Sequence, residues 1–293
     1  MALSIEPTDA TLGAIVTGIE LSALDDATWR EIETAFHEHA LLIFPGQSLA
    51  PHTQVIFATR FGEIEQLYAG YDSVALSNKD QKGGMAEEGS YQMEILRGNE
   101  GWHTDSSYMP LAAKASLLSA RVVPSKGGET EWADARAAYD GLGETAQFHV
   151  ADLMAHHSYF HSQAKIGHQV EVGAGYGFYE GAPPLRPLIK VHPVTGRKAL
   201  YIGRHAYGIP GLAEEESERL LHDLLTFTCQ PPRTYTHAWQ AGDVAVWDNR
   251  SVLHRARPFD HREAREMLHT RIKGDPTTES EHAPLSSDLR TRE

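Results

Sequence analysis

The segment Trp102-His103-Thr104-Asp105-Ser106-Ser107-Tyr108, taken with His254 far downstream, constrains this chain more than any other feature. A histidine and a carboxylate two residues apart on a strand point to the same face, because side chains there alternate with a period of two. The third ligand must then arrive from a different strand, so the chain has to bring distant segments together in a sheet. Two histidines and one carboxylate on one triangular face leave three cis positions of an octahedral metal open. That arrangement suits non-haem Fe(II) with a chelating co-substrate and O2. The pair alone is weak, since 17 histidines and the many aspartates of this composition predict about one chance His-x-Asp. Its meaning rests on its surroundings.

At 293 residues the chain has room for one large or two small domains. A formal net charge of -14 excludes a general nucleic-acid binder, which needs a basic face for the phosphates. A positive pocket inside such a protein can still capture a small anion. The single Cys229 excludes an intrachain disulfide and a cysteine zinc site; it follows an apolar run at 220–227 and reads as a buried, inert thiol. No apolar run approaches the length of a membrane span, and the N-terminal Met-Ala-Leu-Ser-Ile-Glu-Pro lacks the pattern of a signal peptide. The cytoplasm is the expected location, without membrane or nucleic-acid partners.

The spacing of Trp29, Ile32, Ala35 and Phe36 predicts a helix over residues 24–40, capped by Asp25 or Asp26. It leads into a short strand, Leu41-Leu42-Ile43-Phe44, ended by Pro45-Gly46. Further helices are expected over 52–61, stopping at Gly62, and over 213–228, where three glutamates in the first turn suit the helix dipole. Residues 188–193 and 198–202 flank Thr195-Gly196 as a hairpin, and 243–247 alternates as a half-buried strand should. Residues 84–100 read as a long loop of the kind that serves as a lid, and 276–293 as a polar, disordered tail behind a single domain over 1–275. Adjacent His156 and His157, with His161, point apart on any regular element and read as structural.

Read together, Trp247-Asp248-Asn249-Arg250, His254-Arg255-Ala256, Arg265 and the earlier Gly127-Gly128-Glu129-Thr130 resemble the taurine/2,4-D dioxygenase family. The resemblance runs from about Ser4 to Asp275, with the motifs in order. It implies a mainly β protein with flanking helices (α+β), folded as a double-stranded β-helix jelly-roll. It also implies an oxygenase that holds Fe(II) on His103, Asp105 and His254. Thr130 and Arg265 would grip the distal carboxylate of 2-oxoglutarate, as suits a bidentate guanidinium beside a hydroxyl donor. The implied reaction consumes O2 and 2-oxoglutarate, releases succinate and CO2, and hydroxylates a small anionic substrate.

Within the family, His39-Ala40-Leu41-Leu42-Ile43-Phe44-Pro45-Gly46-Gln47, Asp105-Ser106-Ser107-Tyr108-Met109-Pro110, Leu185-Arg186-Pro187-Leu188 and Ile202-Gly203-Arg204-His205-Ala206-Tyr207 resemble the (S)-selective aryloxyalkanoate (phenoxypropionate) branch, associated with herbicide degradation. Two positions depart from the taurine pattern: His269 replaces a second arginine and Leu67 replaces a histidine, which argues against a taurine-type sulfonate. His269 or, alternatively, Arg271 is expected as the partner of the substrate anion. Asn99, Ser106, Tyr108 and Tyr207 are expected to line the substrate pocket, with the tyrosines as an aromatic wall. Trp247 is expected to shield the metal. A homo-oligomer is the expected assembly. The alternatives are the same chemistry on an alkyl sulfate, a sulfonate or a biosynthetic carboxylate, a zinc hydrolase, or a non-catalytic metal-binding jelly-roll. Thr130 and Arg265 count against the last two.

Overall fold

The computed structural model describes residues 2–80, 82–173, 175–178 and 180–280. One sheet of eight strands runs Ser4–Pro7, Ala14–Thr17, Leu41–Phe44, Val244–Asp248, Ala115–Val122, Glu266–Ile272 and Ile64–Glu65, with Val74–Ser77 also paired to Glu266–Ile272. Its pairings are antiparallel except that of Ala14–Thr17 with Leu41–Phe44. A second antiparallel sheet runs Thr234–His237, Thr130–Asp134 and Val252–Ala256. The two share a core and make the expected jelly-roll.

The period of two decides which residue serves which core. Leu41, Ile43, Leu118, Ala245, Trp247 and Met267 point inward and meet Trp132 and Val252 of the second sheet. The residues between them, Leu42, Phe44, Leu117, Val244 and Val246, point outward onto the helices Asp26–His39 and Pro51–Thr59, through Trp29, Ile32, Phe36 and Phe57. On the opposite side Ala133 and Leu253 face the helix Glu214–Thr228 through Leu221 and Leu224. Strand Val244–Asp248 is therefore buried at every position, not at alternate ones as its sequence suggested. It pairs on both edges and is covered on both faces, which the sequence of one strand cannot reveal.

The helices form close to their expected bounds. Asp25 caps the first by accepting from the Thr28 N–H at 2.7 Å. The hairpin pairs Ile189–Val191 with Lys198–Leu200. Two expectations need correction. Residues 84–100 are not one loop: Ser90 caps a helix, Tyr91–Gly98, which buries Met93 against the body of the protein. Nor does order stop at 275, because Pro276–Glu279 is helical, Glu279 is buried, and Ser280 bridges Leu111. The rest of the expected tail, 281–293, lies outside the described residues.

Leu42 is fully buried between strand and helices. Leu42→Ala is expected to cost about 2–5 kcal/mol through lost burial and a residual cavity. A lowered midpoint in urea unfolding checks it.

Candidate active site

The inward positions at one end of the roll carry polar groups where the rest carry hydrocarbon. Ser116 and Leu118 share the inward face of one strand, Thr130 and Trp132 that of another, and Val252 and His254 that of a third. Met267, His269 and Arg271 do the same on Glu266–Ile272. Of these, Leu118, Thr130, His254, His269 and Arg271 line a cavity of about 540 Å³, within the range that binds small molecules.

His103 and Asp105 lie in a connecting segment, not on a strand as expected. His103 alone makes a bridge, exchanging backbone hydrogen bonds with His254 at 3.0 and 2.8 Å. Asp105 sits in a turn whose next residue, Ser106, adopts a left-handed conformation at φ 54°. The bridge and the turn still bring the three expected ligands together: atoms of His103, Asp105 and His254 lie within 4.8 Å of one another, and all three residues are buried.

The groups around these ligands set their orientation. His103 Nδ1 donates to the Gly101 carbonyl at 2.7 Å, which leaves the Nε2 lone pair for a cation. Ser116 donates to Asp105 Oδ2 at 2.6 Å and accepts from Asn249 Nδ2 at 2.9 Å. Asn249 Oδ1 in turn accepts from Trp247 Nε1 at 3.0 Å and from the Asp105 backbone N–H at 3.3 Å. His254 is held by packing, with Trp247 4.6 Å from its ring centre.

Protonation states agree with ligation. Burial lowers His103 to about 4 and holds His254 well below the ordinary imidazole value, so both rings are neutral donors of lone pairs. Burial alone would raise the Asp105 carboxyl. Arg271, donating to Asp105 Oδ1 at 2.9 Å, outweighs it with help from a His269 hydrogen bond and keeps the carboxylate ionised. A divalent cation needs that combination of two neutral imidazoles and one anion. The residues present fit a metal.

A second group of metal-capable residues among those described, His37, His192 and Asp248, is already committed. His192 Nδ1 accepts from two backbone N–H groups, its Nε2 donates to Asp248, and Arg250 forks onto the same carboxylate at 2.8 and 2.7 Å. A cation would have to displace the guanidinium. This cluster is structural.

Arg265 is buried beside the cavity with no salt bridge among the described residues, although Glu263 and Glu266 flank it in sequence. Its Nε donates to the Gly128 carbonyl at 3.1 Å, and burial, offset only in part by the charge of Glu129, lowers its pKa to about 10. Thr130 also lines the cavity, with its oxygen accepting from Trp239 Nε1 at 2.9 Å. A buried guanidinium without an anion carries an unmet desolvation cost, so a carboxylate is the ligand this corner suits.

Of the expected substrate residues, Asn99, Tyr108, His269 and Arg271 line the cavity. Both His269 and Arg271 reach Asp105, at 3.7 and 2.9 Å. Ser106 does not line it; its hydroxyl accepts from Arg271 Nη1 and donates to Glu65. Tyr207 is corrected outright: its ring stacks on His161 at 4.2 Å, away from the cavity. The aromatic wall comes instead from Tyr108, Tyr159 and Tyr176, the first two stacked 4.7 Å apart. Among residues not anticipated, Ser116 could have been found as a hydroxyl at an inward position of a buried strand, and Glu65 carried no such signal. His156, His157 and His161 form no metal-capable group among the described residues, and burial pushes the Cys229 thiol up, away from thiolate chemistry.

Residues 4–271 match the sequence pattern of the taurine catabolism dioxygenase TauD, TfdA family. The (S)-phenoxypropionate/alpha-ketoglutarate-dioxygenase of Sphingobium herbicidovorans is 50% identical over 285 residues, 95% of this chain and 98% of that protein. The alpha-ketoglutarate-dependent 2,4-dichlorophenoxyacetate dioxygenase of a Burkholderia species is 38% identical, over 84% of this chain and 85% of that one. The crystal structure of AAD-2 with Mn(II) and N-oxalylglycine superposes with a TM-score of 0.87 at 35% identity, covering 95% of this chain and 99% of that one. With its jelly-roll, its buried His-Asp-His triad and these relatives, the chain belongs to the TauD/TfdA family of 2-oxoglutarate-dependent dioxygenases.

Proposed function

We propose that this enzyme uses Fe(II), 2-oxoglutarate and O2 to cleave the ether of an aryloxyalkanoate of the phenoxypropionate or phenoxyacetate type. One observation carries the reading: the buried triad and a buried arginine without a counter-ion open on the same cavity. His103, Asp105 and His254 would hold the iron, which when bound supplies the activation of O2. Arg265 and Thr130 would bind the distal carboxylate of 2-oxoglutarate. The two 50%-identical or 38%-identical relatives named for phenoxy acids support the substrate class.

The chain's own task is placement and exclusion of water. Tyr108, Tyr159 and Leu67 offer flat and apolar surface for an aryl ring. On the metal side, Arg271, which also pairs with Asp105, and the buried His269 imidazole are the donors nearest a substrate carboxylate, and Asn99 adds an amide at the wall. One oxygen atom of O2 goes to succinate and the other enters the substrate C–H bond. Hydroxylation of the carbon bearing the ether oxygen gives a hemiketal or hemiacetal. That species loses a phenol and leaves a 2-oxo acid, with CO2 from 2-oxoglutarate completing the balance.

No helix among the described residues is long and apolar enough to cross a membrane. We read the enzyme as a cytoplasmic homo-oligomer whose single catalytic domain extends to 280. The net charge of -14 argues against a general nucleic-acid binder.

His103→Ala is expected to abolish Fe(II)-dependent succinate formation, and retained turnover would remove His103 from the ligand set. Arg265→Ala removes a charge-assisted pair of about 1.5–3 kcal/mol, so the KM for 2-oxoglutarate should rise about 10- to 100-fold. An unchanged dependence on 2-oxoglutarate would take Arg265 out of the clamp. Across a panel of (R)- and (S)-aryloxypropionates, aryloxyacetates, alkyl sulfates and taurine, phenol release should accompany succinate only with the aryloxy acids. Coupled turnover of an alkyl sulfate with none on aryloxy acids would move the substrate class.

A further inference from the structure

The turn that carries Asp105 is held from behind by a part of the chain far from the cavity. Ser106 is a non-glycine residue in the left-handed region, which costs about 1–2 kcal/mol and persists only where its surroundings impose it. Within the turn, the Met109 N–H closes onto the Ser106 carbonyl at 2.9 Å. The carbonyls left over point to one side chain. Arg186, 3% exposed, donates to Ser107 O at 3.0 Å, Met109 O at 2.5 Å and Pro110 O at 3.3 Å. Its fourth hydrogen bond, at 2.8 Å, goes to the carbonyl of Glu279. No carboxylate pairs directly with Arg186 among the described residues; carbonyl dipoles surround it.

Glu279 closes the arrangement. Its carboxylate, 1% exposed, meets Lys190 Nζ at 2.5 Å, and Lys190 also donates to Thr278 O at 3.1 Å. The Glu279 carbonyl accepts a second hydrogen bond, from the Ala112 N–H at 3.1 Å. Thus the strands Leu185–Pro187 and Ile189–Val191 and the short helix Pro276–Glu279 grip residues 107–112 from outside the metal site.

We propose that Arg186, locked by Glu279 and Lys190, is a positioning residue for the metal-binding carboxylate of Asp105. It imposes the left-handed turn at Ser106 that aims Asp105 at His103 and His254. The inference rests on the reading of those three residues as the metal ligands. A planar guanidinium can span four carbonyls, whereas an ammonium is a point charge with three donors and cannot hold the same fork. With the hold released, Ser106 relaxes toward ordinary backbone geometry and the carboxylate leaves the ligand triangle.

The test is Mn(II) binding to the full-length apoprotein, by calorimetry and by the Mn(II) paramagnetic resonance spectrum, beside the melting temperature without metal. Arg186→Lys should weaken Mn(II) binding about tenfold or more, as outer-shell substitutions do, and alter the resonance line shape. Glu279→Gln, close in shape and keeping the backbone carbonyl, should produce a smaller loss in the same direction. Leu224→Ala, which opens a cavity under the helix Glu214–Thr228, is the stability control and should leave Mn(II) binding unchanged. Unchanged Mn(II) affinity in Arg186→Lys, or a loss no greater than that of Leu224→Ala at equal melting temperature, overturns the proposal. Should Arg186→Lys not fold, Glu279→Gln decides, and wild-type affinity in that variant is the overturning result. A wild-type chain that binds no Mn(II) would instead sink the metal reading, and the positioning role with it.

Discussion

The site depends on strands buried on both faces. A residue that points into the roll has a neighbour in sequence that points out, and the outward residue is sealed by a helix. Ser116 sits between Ala115 and Leu117, which pack toward Trp29, Phe36 and Phe57. His254 follows Leu253, which packs toward Leu221 and Leu224. The rotation of each strand about its axis is thereby set by hydrocarbon on the far side, and the polar inward residue inherits that setting. The hydrophobic effect, which has no directional preference of its own, becomes angular precision at the ligands through the pleat.

Electrostatics then act within a frame that cannot relax. Asp105 is surrounded by Arg271, His254 and His269, so it stays ionised in a place where burial favours the neutral acid. Arg265 has the reverse situation, a guanidinium with carbonyl and aromatic neighbours and, among the described residues, no carboxylate in salt-bridge contact. The two ends of the cavity therefore differ in what they lack. One gathers an anion and two imidazoles within 4.8 Å of one another; the other has a buried positive charge. A co-substrate with a chelating end and a carboxylate end matches both.

Much of this was legible in the sequence, for reasons that vary by residue. The expected grouping of His103, Asp105 and His254 rested on the flanking motifs more than on the His-x-Asp pair, and the three do come together although the strand expected beneath His103 and Asp105 is a turn. That Arg265 and Thr130 would lie on the cavity wall was implied only by the resemblance, since an arginine between two glutamates looks like a surface ion pair until burial is known. Tyr207 misled because an aromatic near a motif gives no direction, and its ring turned to His161. The helix Tyr91–Gly98 escaped because eight residues are too few for a periodic pattern to stand out against glycine and glutamate. Arg186 gave no hint of its role: its partners are main-chain carbonyls, and main-chain acceptors leave no trace in residue identity.

The helix Tyr91–Gly98 has a consequence for how such an enzyme changes over time. It brings Tyr91, Ile95 and, at its end, Asn99 to the cavity, while the three ligands and the Arg265 corner hang from the strands and the segments bridged to them. Arg204 fastens this helix to the segment after Tyr159 through the Gly98 and Ser162 carbonyls, and Gln92 and the Asn99 carbonyl tie it to the ends of strands Val74–Ser77 and Val252–Ala256, so the wall is a unit built onto the sheets from outside them. Substitutions in that unit can reshape the space for one aryl group or another while leaving oxygen chemistry intact. A lineage of such enzymes can therefore acquire new substrates by small inherited changes in one module, without passing through forms that have lost the reaction.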